Sequence, residues 1–405
     1  MTVANDLQCL ECQAEVRDYL GDHLLEVHKL SVQEYLARHP GAPTVSDRLW
    51  ATFQATNRSK KRAHPPVPEN LSVSLAGTSF SVNLDVPADA CLPMPSHYRL
   101  PRYGSLGEDI AHTLIALKGG RSIYIWGMPG SGKDALFHAW SSLTRTPALF
   151  LQMQPGADIE SWFFSRAFND KGTYWEEGAV LQAARDGYLT ASGRRVPYLI
   201  LVTDFDRGEP EQAEGMRILM DTISGRVRGP AGTSYKVLPG TIIVATGNTA
   251  GGGDERARMT SAMPIDGSLF DRFERVFQYH WMDWKDEEII VQEKFPLLFQ
   301  RAPSVFQKMR EVTKKLREAI LNGDLHAEFS HRGLCTILGH AQDVMIHSGK
   351  LSNKILKWSV RAWVDRLPDE ENRQAALNIM DPHIGTIPEG DTTHIKPGDL
   401  TVQGI

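Results

Sequence analysis

Gly127-Met128-Pro129-Gly130-Ser131-Gly132-Lys133-Asp134 follows the pattern G-x-x-x-x-G-K-[ST] up to its last position and then departs from it. In that pattern a glycine-rich turn wraps phosphates with backbone N–H groups. The lysine reaches the β- and γ-phosphates, and the closing hydroxyl ligates Mg²⁺. Gly127, Pro129, Gly130, Ser131, Gly132, Lys133, Asp134 and Ala135 are therefore the candidate nucleotide cradle, with a carboxylate where the hydroxyl belongs. The flanks suit it. Ile123-Tyr124-Ile125-Trp126 reads as a strand, and Ala135 through Trp140 as the start of a helix whose N-terminus points at phosphate. The segment predicts nucleoside triphosphate binding, and its last residue raises the question of hydrolysis.

Outward from this loop, apolar runs bounded by turn residues predict buried parallel strands at Ser122–Gly127, Ala148–Met153, Pro197–Asp204, Thr241–Asn248 and Arg275–Trp281. Helical periodicity lies between them. After Trp284 the pattern turns all-helical, with helices expected at Glu287–Phe299, Val305–Leu321, Arg332–Ile346 and Ile355–Arg366. A second strand should deliver one carboxylate to the metal and one to the attacking water. Leu199-Ile200-Leu201-Val202 ends instead in Thr203-Asp204. Asp134 and Thr203 read together as an exchange that keeps one carboxylate and one hydroxyl around Mg²⁺, an ion that takes hard oxygen ligands and retains waters. Asp204 then takes the place of the catalytic base. A second register makes Asp204 the metal ligand and puts Phe205 in the base position. A third reading is a degenerate, binding-only loop.

The N-terminus carries Cys9-x2-Cys12 and, ten residues on, His23-x4-His28. Two thiolates and two imidazoles at such spacing suit tetrahedral zinc. A helix is expected over Tyr19–His28, and Ser31 with Glu34 forms a capping-box pattern opening a second one. The stretch Asn57–Pro68 mixes a basic run with prolines and reads as a linker. The expected division is 1–45 zinc-binding domain, 46–70 linker, 71–284 α/β nucleotide-binding domain, 285–381 helical lid and 382–405 irregular tail. The whole chain has 405 residues, net charge −5 and four cysteines. That balance gives no global attraction to nucleic acid or anionic membrane. Too few cysteines for a disulfide framework and no long apolar run lead to the expectation of a cytoplasmic protein.

Two resemblances follow from these motifs. Cys9 through Leu36 resembles the zinc finger of the bacterial Ros/MucR regulators. About 300 residues resemble an AAA+ ATPase of the MoxR branch, nearest the ATPase subunit of cobalt chelatase. The markers, in order, are the P-loop, Trp175–Leu181 near an insertion, Asp204–Pro210 closing the second strand, Thr246-Gly247-Asn248-Thr249, Leu269–Phe273 and Ser330-His331-Arg332-Gly333. The resemblance implies a P-loop AAA+ core, an α/β fold with a five-stranded parallel sheet and helices on both faces, plus a helical lid. It implies ATP and Mg²⁺ as ligands, with Asn248 orienting the attacking water. It also implies that Arg272 acts in trans on a neighbour's γ-phosphate and that Arg332 acts from the lid. It further implies a ring, usually a hexamer, working with a von Willebrand A-domain partner. Two insertions, Asn169–Arg195 with Tyr174 and Trp175, and a hairpin over Gly225–Pro239 with Arg226, Arg228 and Lys236, face the ring pore or a partner, where they would grip polypeptide or nucleic acid, or else pack on adjacent subunits. Three functions stay open: a motor remodelling a protein, a nucleic-acid-associated ATPase located by finger and linker, and a non-hydrolysing switch. The chelatase's metal insertion does not transfer with the resemblance. The helix of the finger carries Asp22 and Glu26 and few cations, so docking to protein is as well founded as reading DNA.

Overall fold

The computed structural model describes residues 6–17, 20–30, 32–39, 42, 44, 71–170, 172–220, 225–253, 262–348 and 353–384. Its contacts divide into two units, Met1–Glu69 and Asn70–Ile405. The basic linker, Ser31 of the capping box and the tail beyond 384 lie outside the described residues.

The first unit pairs strands Asp6–Gln8 and Glu15–Arg17 antiparallel. Helices Gly21–Val27 and Val32–Arg38 follow. Leu7, Cys9, Leu20, Leu24 and Tyr35 form its small core. Tyr35 is tied to the knuckle, because the Leu10 N–H donates to its hydroxyl at 3.1 Å.

The second unit is built on five parallel strands: β1 Ile123–Gly127, β2 Ala148–Gln152, β3 Leu199–Thr203, β4 Ile242–Gly247 and β5 Arg275–Tyr279. Their spatial order is β5-β1-β4-β3-β2. All five fall on the apolar runs read from sequence, each trimmed at one or both ends. Alternation along the strands explains the two-sided core. Ile123, Ile125, Leu199 and Leu201 pack with helices Gly104–Lys118 and Lys133–Thr144. Tyr124, Ile200 and Val202 pack on the other face, with Phe163, Val180 and Leu181 from helices Ile159–Phe163 and Ala179–Asp186. This is the α/β P-loop architecture expected, with helices on both sheet faces.

The lid comprises helices Trp284–Lys294, Pro296–Arg301, Ser304–Asn322, His331–Ser348, Asn353–Val364 and Glu370–Ile384, around a core of their own. Two expectations are corrected. The helix predicted over Glu287–Phe299 is split, because Pro296 pushes Phe295 out of helical conformation, to φ −125° and ψ 59°. The segment from 382 does not begin an irregular tail: Glu370–Ile384 is helical and carries Pro382 in its last turn.

Candidate nucleotide site and cysteine-histidine centre

β1 ends at Gly127, whose φ of 147° no other residue tolerates here; a Cβ would lie 2.0 Å from the Tyr279 carbonyl oxygen at the end of β5. The chain then turns through left-handed Gly130 and Gly132 into the helix Lys133–Thr144. A Cβ on Gly130 would fall 2.6 Å from Cβ of Ser330, so the lid sits directly against the loop. Lys133 is buried. Its Nζ donates to the carbonyls of Gly127 (2.8 Å) and Met128 (3.3 Å) and to Oδ1 of Asn248 (3.2 Å). Burial lowers its pKa, while the nearby Asp134, Asp206 and Asp204 carboxylates oppose that shift. Among the described residues, Ser131 Oγ is buried without a hydrogen-bond partner.

Asp134 opens that helix, and its carboxylate accepts a 2.6 Å bond from the Thr246 hydroxyl on β4. The sequence had set it opposite Thr203. The Thr203 hydroxyl instead donates back to the Leu151 carbonyl at 3.4 Å. Asp204 follows β3 in a left-handed conformation, φ 53°, which aspartate tolerates better than most residues. Its Oδ2 accepts from Gln152 Nε2 at 3.0 Å and lies 3.8 Å from Arg207.

Asp206 lies within the Asp204–Pro210 marker, but nothing in the sequence assigned it the structural weight it carries. It is fully buried, and its Oδ2 accepts from the backbone N–H groups of Asn248 (2.7 Å) and Thr249 (2.8 Å) and from the Thr249 hydroxyl (2.9 Å). Asn248 is thus fixed from behind by Asp206 while its side chain faces Lys133. Gly247 beside it has no room for a side chain, because a Cβ would meet the Tyr124 hydroxyl at 2.2 Å. The available hint was that Asp204-Phe205-Asp206 alternates polar and apolar, with Phe205 buried.

Arg272 follows the short helix Gly267–Phe270 and is half-buried. Among the described residues its guanidinium makes no ion pair, and the neighbouring Glu274 pairs with Arg121 at 2.8 Å. Arg332 is exposed in the first turn of His331–Ser348, two residues beyond the Ser330 that abuts Gly130. Pro129 and Ala135 complete the loop and helix start without hydrogen bonds that single them out.

The hairpin of the second insertion is present, while the first insertion supplies the second strand of a hairpin that begins before it, at Phe164. Strands Phe164–Asn169 and Gly172–Glu177 pair antiparallel, as do Arg226–Arg228 and Ser234–Lys236. Phe168, Tyr174 and Trp175 are exposed on the first, where the Arg166 guanidinium lies 5.1 Å from the Trp175 ring. The second packs inward, with Val227 buried and Tyr235 against Phe164.

In the first unit, one ligand atom from each of Cys9, Cys12, His23 and His28 lies within 4.8 Å of every other. Cys9 Sγ is 3.6 Å from His28 Nε2, and Cys12 Sγ is 3.3 Å from His23 Nε2. A tetrahedral zinc with Zn–S of about 2.3 Å and Zn–N of about 2.05 Å sets S···N edges near ~3.5 Å. The donor set therefore fits zinc in both chemistry and span. At the P-loop, the Asp134 carboxylate and the Thr246 hydroxyl are paired oxygen donors of the kind a hard cation takes.

No protein-family model matches the chain. No curated protein matches it either. A solved structure described as a "putative ATPase" from Cytophaga hutchinsonii is similar, at 12% identity over 70% of this chain and 81% of that one, with a TM-score of 0.31. At that score the likeness adds nothing to the fold already described. Among the described residues no helix is long and apolar enough to cross a membrane.

Proposed function

We propose that the chain is an ATP-hydrolysing AAA+ motor of the MoxR type, working as a ring that remodels a protein partner. The observation that carries this reading is the join between Lys133 and Asn248. The amine of Lys133, at the start of the helix after β1, meets the side-chain amide of Asn248 just past β4, whose backbone N–H is held by Asp206. This supports a phosphate-binding role for the first and a water-orienting role for the second.

Lys133 gives up its loop carbonyls to meet the β- and γ-phosphates. Asp134, Thr246 and Thr203 would hold Mg²⁺, and Asp134 and Thr203 are the ligands the sequence itself suggested. When bound, the cation neutralises phosphate charge. Asp204 accepts the proton of the attacking water, its carboxylate steadied by Gln152. Arg272, with no ion pair among the described residues, is available to a neighbour's γ-phosphate; this supports a ring, and hexamers are the usual form of the family it resembles. Arg332 approaches from the lid. Cys9, Cys12, His23 and His28 hold zinc as a structural ion.

The finger supports a protein-docking role, because its helix Gly21–Val27 carries Asp22 and Glu26 and no lysine or arginine. A von Willebrand A-domain protein is the partner this reading names. Phosphate release from Mg-ATP by the full chain, with Lys133→Ala and Asp204→Asn as controls, tests the proposal. Turnover lost in both variants supports it, and absence of turnover in the wild type, alone and with partner, removes hydrolysis. Duplex DNA binding that vanishes on deletion of residues 1–68 would replace the protein-docking role with a nucleic-acid one.

A further inference from the structure

Glu287, on the helix Trp284–Lys294, is a fully buried carboxylate that joins three helices of the lid. Arg317, from Ser304–Asn322, grips both its oxygens, at 2.8 and 3.0 Å. His331, the first residue of His331–Ser348, places Nδ1 3.0 Å from Oε1. The His331 Nε2 lies 3.3 Å from Cys335 Sγ one turn along. Arg317 also reaches beyond the carboxylate. It donates from Nε to the Phe329 carbonyl at 3.1 Å and from Nη1 toward the Met282 carbonyl at 3.5 Å, and lies 5.3 Å from the Trp281 ring.

Trp281 and Met282 connect β5 to the first lid helix, and Phe329 leads into Ser330. One guanidinium therefore holds both the hinge of the lid and its approach to the P-loop. A buried charge cluster of this kind contributes little net stability over an apolar one, so its effect is sought in geometry. The geometric consequence is local: His331 follows the Ser330 that abuts Gly130 and precedes Arg332.

We propose that Arg317, Glu287 and His331 form a latch that sets the angle of the lid against the P-loop and so aims Arg332 at the nucleotide. The three are positioning residues, and the nucleotide half of the idea rests on the function proposed above. The test compares wild type, His331→Ala, His331→Gln and Val312→Ala in the full chain. Val312 is buried in the lid core on the same helix as Arg317, makes no part of the Arg317–Glu287–His331 cluster, and serves as a destabilised control. Two readouts are taken: the Kd of mant-ATP with Mg²⁺, and amide hydrogen exchange of residues 127–134 in nucleotide-free protein. The latch predicts about a tenfold weaker Kd and faster P-loop exchange in His331→Ala, both largely restored in His331→Gln and absent in Val312→Ala. Unchanged P-loop exchange in His331→Ala, or an equal change in Val312→Ala, overturns it. If wild type fails to bind mant-ATP, the nucleotide reading falls, and the exchange measurement alone decides the latch.

Discussion

Asp134 is bonded to Thr246, and a double-mutant cycle puts a number on that bond. Thr246 is 1% exposed, and its hydroxyl donates to a carboxylate at 2.6 Å. A hydrogen bond to a charged group contributes about 1.5–3 kcal/mol, and removing the acceptor strands a buried hydroxyl. Asp134→Ala should therefore cost about 2 kcal/mol from this bond alone. It also removes an acidic residue from the first turn of a helix, roughly 0.3–1 kcal/mol more. The second effect is common to every cycle containing Asp134→Ala and cancels in the coupling energy. With Thr246→Val as the partner, urea unfolding of nucleotide-free protein should give a coupling of about 1.5–3 kcal/mol. The same cycle with Thr203→Val should give less than ~0.5 kcal/mol, because that hydroxyl bonds to Leu151 instead. A coupling near zero for Asp134 and Thr246, or an equal one for Asp134 and Thr203, refutes the assignment.

Three further outcomes are expected. Asp206→Ala strands three donors, those of Asn248 and Thr249. It should cost roughly 3 kcal/mol or more in urea unfolding and reduce phosphate release at least about tenfold; wild-type values on both counts would show that Asn248 is held by something else. The full chain should contain one zinc by elemental analysis, lost in Cys9→Ser along with the first unit's fold, since such ions carry folding energy; an unchanged zinc content contradicts the four-ligand site. His331 has its pKa raised from 6.5 to about 9: burial opposes the charge, but contacts with Cys335 and Glu287 outweigh it. Its stabilisation is complete below pH 6.5 and is lost as pH rises through 9, by at most about 3 kcal/mol. His331→Gln should flatten the stability curve across that window, and a wild-type curve already flat there contradicts the coupling.

The parallel sheet was readable because its central strands are buried on both faces and so appear as unbroken apolar runs. The run Leu199–Val202 is the clearest case, every residue being buried. Its edges were blurred for the same reason: flanking residues such as Pro197 and Tyr198 are also apolar and carry no pattern of their own. Pro296 was visible in the sequence, yet helical periodicity on both sides of it masked the break. At the site, Lys133 and the glycines announced themselves through spacing. Thr246 and Asp206 did not, because their partners lie 112 and 42 residues away in sequence and only the strand order β1-β4-β3 brings them together. Glu287 and Arg317 read as ordinary charges on amphipathic helices. Burial alone distinguishes them, and burial of a charge is a property of the assembled lid.

The proposed function stands or falls with nucleoside triphosphate binding by Lys133, in a loop whose last residue is a carboxylate. Equilibrium titration of the full chain with mant-ATP and Mg²⁺, against Lys133→Ala, tests it most directly. Saturable binding by wild type that weakens at least about tenfold without the lysine is the expected result. Equal binding by the two proteins, or none by the wild type, would contradict it.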